Sequence, residues 1–316
     1  MSAHALQPAE GERGLASYDL EDLTALLAGA WDDFIKVVDH VELSAPSRLR
    51  GWTAHDVCVH LGSWPGRRSM ERLVEEARSG HHGEHVLRGQ HGDAFDQDGH
   101  NEALIDAHRE AGRDEVVDAL VLARDEVGGF LSSEVAVEVG GRQVRSMLGP
   151  LPLLTVVAAM CYELAVHALD LAPAGAPDPP ARLLDAGIAA VTDVTGGLAA
   201  RHGIDATIGV VSPEGGWAFG TSGADWTTMN LPMVPPTWPA VEAPAALLLD
   251  ASAGRRQVPL MLARRELKVH HVTGLLALAP IVEEVPGLPG AHALGGAVRH
   301  LSGVGRLVRR LPRLGF

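Results

Sequence analysis

The sequence predicts a helical bundle followed by a small α+β unit. Three observations carry this: four stretches with apolar residues at helical spacing before residue 171, a proline-rich break at 172–180, and strand-like runs mixed with helices beyond it. A chain of 316 residues is long enough for two such units, each with its own core. We assign 1–171 to the bundle, 172–180 to a linker, 181–290 to the α+β unit and 291–316 to a basic tail.

The first predicted helix runs from Leu20 to Val41, with Leu23, Leu27, Trp31, Phe34 and Val38 on one stripe. The second begins after Thr53, a good N-cap, and Asp56 three residues on resembles the acidic member of a capping box. His60 falls in its second turn, one turn from Asp56 and from Trp64. A third helix spans Asp114 to Leu131 on a stripe of Val116, Leu120, Ala123, Val127 and Phe130. The fourth, Leu148 to Asp170, is almost wholly apolar, with Pro150 and Pro152 placed in its first turn. Beyond the break, 182–200 and 243–253 read as helices, and 274–285 as another apolar helical run. Residues 206–211, 217–221 and part of 260–272 read as strands.

Composition narrows the function classes. With 46% hydrophobic and 21% charged residues, the chain reads as a globular protein. It offers no signal-like apolar core at the start and no run of about 20 uninterrupted apolar residues, so no transmembrane segment and a cytoplasmic location are expected. A net charge of −14 repels a phosphate backbone, so no nucleic-acid partner is expected. A homo-oligomer is compatible with the sequence. Cys58 and Cys161 read as small core residues in a reducing compartment. Two biased segments stand apart. Residues 79–100 are rich in Gly and His and read first as a solvated loop, with a metal site or an active-site cover as lesser readings. After Glu284 come Arg299, Arg306, Arg309, Arg310 and Arg313 and no acid; this reads as a solvated or disordered end, or as a basic amphipathic surface.

The chemistry gathers on the fourth helix. Glu163 and His167 are four residues apart and share a face, and Asp170 follows three residues later. Burying them in an apolar helix is costly unless something compensates their charge. With His60 they would make a two-His, one-carboxylate metal site between facing helices, leaving a coordination position open. Such a set suits catalytic zinc or non-haem iron. Asp170 would orient the His167 ring through its second nitrogen. From spacing alone, an ordinary helix-surface Glu–His pair is an equal reading.

A resemblance bears on that choice. Trp52-Thr-x-x-Asp-Val-x-x-His60-Leu, Asn101-Glu, Leu148-Gly-Pro-Leu-Pro-Leu and Glu163-Leu-x-Val-His167-Ala-x-Asp170-Leu together resemble the mycothiol-dependent maleylpyruvate isomerase family, within the DinB-like metal-binding four-helix bundles. The resemblance covers about residues 17–171. It implies that His60, Glu163 and His167 bind a divalent metal, usually zinc, and that a small thiol, mycothiol, is the cofactor. The thiolate would add to the electron-poor cis double bond of maleylpyruvate or a similar dicarboxylate, allow rotation about the resulting single bond, and be expelled again to give the trans isomer. The second half looks more loosely like a sterol-carrier-protein-like domain, through Ala253-Gly254-Arg255 near a helix end. There Arg255 is the expected contact for substrate carboxylates, with Arg256 and Arg265 as alternatives and plain surface arginines as the bland reading. Val-His-His-Val-Thr-Gly at 269–274 departs from the Gly-Asp expected there. Thiol transfer to another electrophile, such as a natural-product intermediate, uses the same first step. A ligand-binding or metal-binding protein without catalysis is the alternative from another class.

Overall fold

Local signals set the ends of the helices that build the bundle. In this computed structural model, which describes residues 5–64, 70–80, 97–213, 215–231 and 233–282, Asp19 caps α1 (Leu20–Val38) by accepting from the Glu21 N–H. Thr53 and Asp56 close a reciprocal capping box at the start of α2 (Ala54–Leu61). The expected third stripe is α5 (Arg113–Leu131), where Val116, Leu120, Ala123, Val127 and Phe130 are all buried. Around these lie α3 (Met70–Ser79), α4 (Gln97–Ala107) and α6 (Glu134–Val139), which the sequence reading did not separate out. The start of α4 replaces the end of the expected His-rich loop, whose His81, His82, His85 and His91 lie outside the described residues. The basic tail lies outside them as well.

The fourth helix begins later than its prolines suggested. Gln143–Ser146 (β1) and Gly149–Pro152 (β2) form an antiparallel hairpin, so Pro150 lies in a strand and Pro152 caps the helix after it. Both strands of a two-stranded ribbon are edges, where a missing N–H is tolerated. The helix then runs as α7 (Leu153–Ala158) and α8 (Met160–Asp170), joined through Ala159 in helical conformation. In the bundle α1 packs on α5 and α8, and α2 on α5.

Beyond the break, α9 (Ala181–Arg201) lies on both α8 and the sheet. The sheet is ordered β5-β4-β3-β6-β7, with β3 (Thr207–Ser212), β4 (Gly215–Ser222) and β5 (Asp225–Leu231) antiparallel in sequence. β6 (Ala240–Glu242) joins β3 in parallel and β7 (Lys268–His270) joins β6 antiparallel. Helices α10 (Ala245–Ser252) and α11 (Val258–Ala263) come between them in the chain. Of the run at 260–272, Lys268–His270 is strand, while its start belongs to α11, where Pro259 fits a first helical turn. The expected helix at 274–285 is broken into α12 (Val272–Leu275), a 3-10 turn and α13 (Ala279–Val282), since Pro280 cannot continue the turn before it.

The hydrophobic core does not stop at the proline-rich segment. One buried cluster includes Phe34 of α1, Leu164 of α8, Ile188 of α9 and Leu249 of α10. At the α8–α9 crossing, a Cβ on Gly187 would lie 2.5 Å from the Ala165 Cβ, so glycine there lets the two helices approach. Arg182 at the start of α9 grips Asp33 of α1 through two bonds of 2.9 and 2.7 Å. The segment before α1 belongs spatially to the second half. The Leu15 N–H donates to Asp193 of α9, and the Trp226 N–H of β5 donates to the Glu12 carbonyl.

Two helical stretches, Leu153–Asp170 and Ala181–Arg201, are long and apolar enough to cross a membrane by length and composition. However, 67% and 78% of them are buried inside the protein, where they pack on each other as core helices.

Candidate metal centre

α2 and α8 place three side chains at one point. His60 comes from the last turn of α2, while Glu163 and His167 come from successive turns of α8. One donor atom from each lies within 4.8 Å of the other two. His167 Nε2 is 3.5 Å from Glu163 Oε2, close to the roughly 3.4 Å between two tetrahedral ligands bound at about 2.1 Å. The two imidazole rings have centroids 5.3 Å apart at 77°, and Trp52 packs edge-on against His60 at 5.5 Å. Two imidazoles and a carboxylate are the donor types a borderline divalent ion takes, so the residues fit such an ion.

The other ring nitrogen of His167 is already committed. Its Nδ1 is 3.1 Å from Asp170 Oδ2, and a carboxylate can only accept, so Nδ1 carries a proton and Nε2 is the nitrogen turned towards Glu163 and His60. Asp170 is fully buried. Burial pushes its pKa up, but His167 and Arg255 outweigh this and hold it below the usual carboxylate range. Glu163 behaves likewise, with His167, then His60 and Arg255, overcoming desolvation. Its side chain is 51% exposed, which makes it the open side of the group. Burial lowers His167, yet Asp170 and Glu163 together raise its pKa to about 9.

The expected substrate arginine lies beside this group, bonded to Asp170. Arg255 donates through Nε (3.2 Å) and Nη2 (3.0 Å) to the two oxygens of Asp170, and through Nη1 to the Ala253 carbonyl. Arg256 stands 3.6 Å from Glu266, and Arg265 is exposed in a left-handed conformation. Two residues the sequence reading missed complete the charge group. Arg48, from the loop between α1 and α2, binds Asp250 of α10 at 2.8 Å, and its Nε is 4.0 Å from Asp170. A single acid in the apolar run Ala-Ala-Leu-Leu-Leu-Asp250 was the available signal; nothing marked Arg48. Tyr162 turns towards α10, its hydroxyl 3.3 Å from Ser252, and burial pushes it to about 12. Cys58 and Cys161 are buried and free, and burial raises each to about 12. A depression of about 480 Å³ between α1 and α5, lined in part by Trp31 and Arg124, contains none of these residues.

The family described as "Mycothiol maleylpyruvate isomerase N-terminal domain" matches residues 8–172, just over half of the chain. The chain belongs to this family. As a member of the mycothiol maleylpyruvate isomerase family it is an enzyme with a thiol-using isomerase or transferase role. Two solved structures are similar. The crystal structure of the mycothiol-dependent maleylpyruvate isomerase is 15% identical, with a TM-score of 0.45, over 77% of this chain and 92% of that one. A mutant of it is also 15% identical, with a TM-score of 0.46, over 83% of this chain and 96% of that one. No curated protein matches the chain.

Proposed function

We propose that His60, Glu163 and His167 hold a divalent metal ion, zinc by family habit, and that the enzyme uses mycothiol to isomerise maleylpyruvate or a similar unsaturated dicarboxylate. The observation that carries this is the convergence of three donor atoms within 4.8 Å in a chain of this family. A bound ion would supply Lewis acidity, which favours the thiolate form of a coordinated thiol at neutral pH. The protein's own part is positional. His60 and His167 approach from two helices, Asp170 fixes the His167 tautomer, and the half-exposed Glu163 marks the side from which a small thiol and substrate enter. No thiol of the chain competes for that role, because Cys58 and Cys161 are buried and held protonated. A cytoplasmic location fits a cofactor that must stay reduced.

The family match covers residues 8–172. One second reading is transfer of the thiol to a different electrophile, which begins with the same thiolate. Metal analysis of protein purified without chelator is the first test, with about one equivalent expected and a loss in His60→Ala and His167→Ala. Cis–trans conversion of maleylpyruvate in the presence of mycothiol is the second. No conversion, with a stoichiometric metal present, would remove the isomerase reading and leave thiol transfer. No metal in the wild type would remove both.

A further inference from the structure

We propose that Arg255 is a positioning residue for the metal centre, acting on His167 through Asp170, so that the end of α10 completes a site whose ligands all lie in the bundle. The proposal rests on the metal reading above and deepens it.

The local chain explains how Arg255 gets there. At the end of α10 the Gly254 N–H bonds the Ala251 carbonyl and the Arg255 N–H bonds the Asp250 carbonyl, the paired bonds of a Schellman cap. The cap needs a left-handed residue, and Gly254 supplies it with φ +70°. The chain turns back at that point, and the guanidinium of Arg255 meets both oxygens of Asp170 in a fork.

What the fork does follows from the chemistry of Asp170. The carboxylate is fully buried, and one of its oxygens must face His167 Nδ1 if Nε2 is to face the ion. A carboxylate held at one oxygen can turn about its last torsion; one held at both by a planar fork cannot. Arg48 does not do this job. Its Nη2 is taken by Asp250, which leaves its Nε at 4.0 Å from Asp170. The backbone carbonyl of the same Asp250 accepts from Arg255, so one residue both draws Arg48 aside and anchors the turn that presents Arg255. The fork of Arg255 is thus committed to the support of His167 through Asp170.

The test uses full-length protein stripped of metal and titrated with Co²⁺ and Zn²⁺ against a chromophoric chelator. Folding of each variant is checked by thermal melting. Arg255→Gln should weaken metal binding by about 10- to 100-fold, the size of effect typical for partners that orient a ligating His. It should also change the visible spectrum of the Co²⁺ form. Asp170→Asn should do the same, and the double variant should lose no more than either single one, because both act on one imidazole. Arg255→Lys keeps the buried charge without the fork and should fall between; it is the variant read if Arg255→Gln does not fold. Wild-type metal affinity and an unchanged Co²⁺ spectrum in either folded variant, or additive losses in the double variant, would overturn the proposal while leaving the metal site standing. A raised KM with unchanged metal affinity would return Arg255 to the substrate. A wild-type protein that takes up no Co²⁺ or Zn²⁺ would overturn the metal reading itself.

Discussion

Replacing Asp193 by Asn should remove a pH dependence from the stability of this protein. Asp193 lies in the middle of α9 with no exposed surface. Its Oδ1 accepts from the Leu15 N–H at 2.9 Å, the Trp226 indole at 3.0 Å and the Thr228 hydroxyl at 2.7 Å, so one oxygen ties the N-terminal segment and β5 to the helix. Burial dominates those three bonds and raises its pKa from 3.8 to about 6. Between these values the folded state binds more protons than the unfolded one, so stability from this group is full below the lower value and lost as pH rises through the upper. Roughly two pKa units at about 1.4 kcal/mol each give on the order of 3 kcal/mol. Asn keeps the accepting oxygen and does not titrate, while all other groups are common to both proteins. The unfolding free energy of the variant minus that of wild type should therefore rise by on the order of 3 kcal/mol between about pH 4 and pH 7. Parallel urea titrations with a chelator present measure it without pH-dependent ion binding. A difference that is flat with pH, or falls, would refute the reasoning.

Other expectations concern the bundle. Thr53→Ala removes the cap of α2 and should cost about 0.5–2 kcal/mol in denaturant unfolding, with weaker metal retention because His60 lies in the same short helix. Leu164→Ala should cost about 2–5 kcal/mol, because Leu164 is 1% exposed on α8, while metal stoichiometry stays unchanged in the folded protein. Cys58 and Cys161 should resist a thiol reagent at pH 8 in the native protein and react at once in denaturant, since burial holds both near 12. Fast labelling of either under native conditions would mean that the core opens there.

The legible parts of this fold were those governed by local rules. The α1 and α5 stripes and the Thr53–Asp56 box were readable because amphipathic spacing and capping are properties of a few neighbouring residues. Glu163 and His167 were readable as a pair for the same reason, and the angle on a helix set Cys161 apart from Glu163 and Cys58 apart from His60. The hairpin at 143–152 was not. Pro150 and Pro152 are compatible with a first helical turn and with an edge strand, and only the pairing of Arg145 with Pro150 decides. The short strand β6 was missed because its three residues carry no periodicity of their own and are defined by β3 and β7 on either side.

Sequence alone therefore determined which candidate residues come together: two histidines, a glutamate and an aspartate on helical faces, in an order that marks the family. It did not determine what surrounds them. That Arg255 grips Asp170 depends on a glycine turn placed against another helix 85 residues away in sequence. Arg48 and Asp250, 202 residues apart, become partners only when α8, α9 and α10 share one core. Charges of this kind interact through distance and burial, which are properties of the packed chain, and no spacing rule along the sequence encodes them.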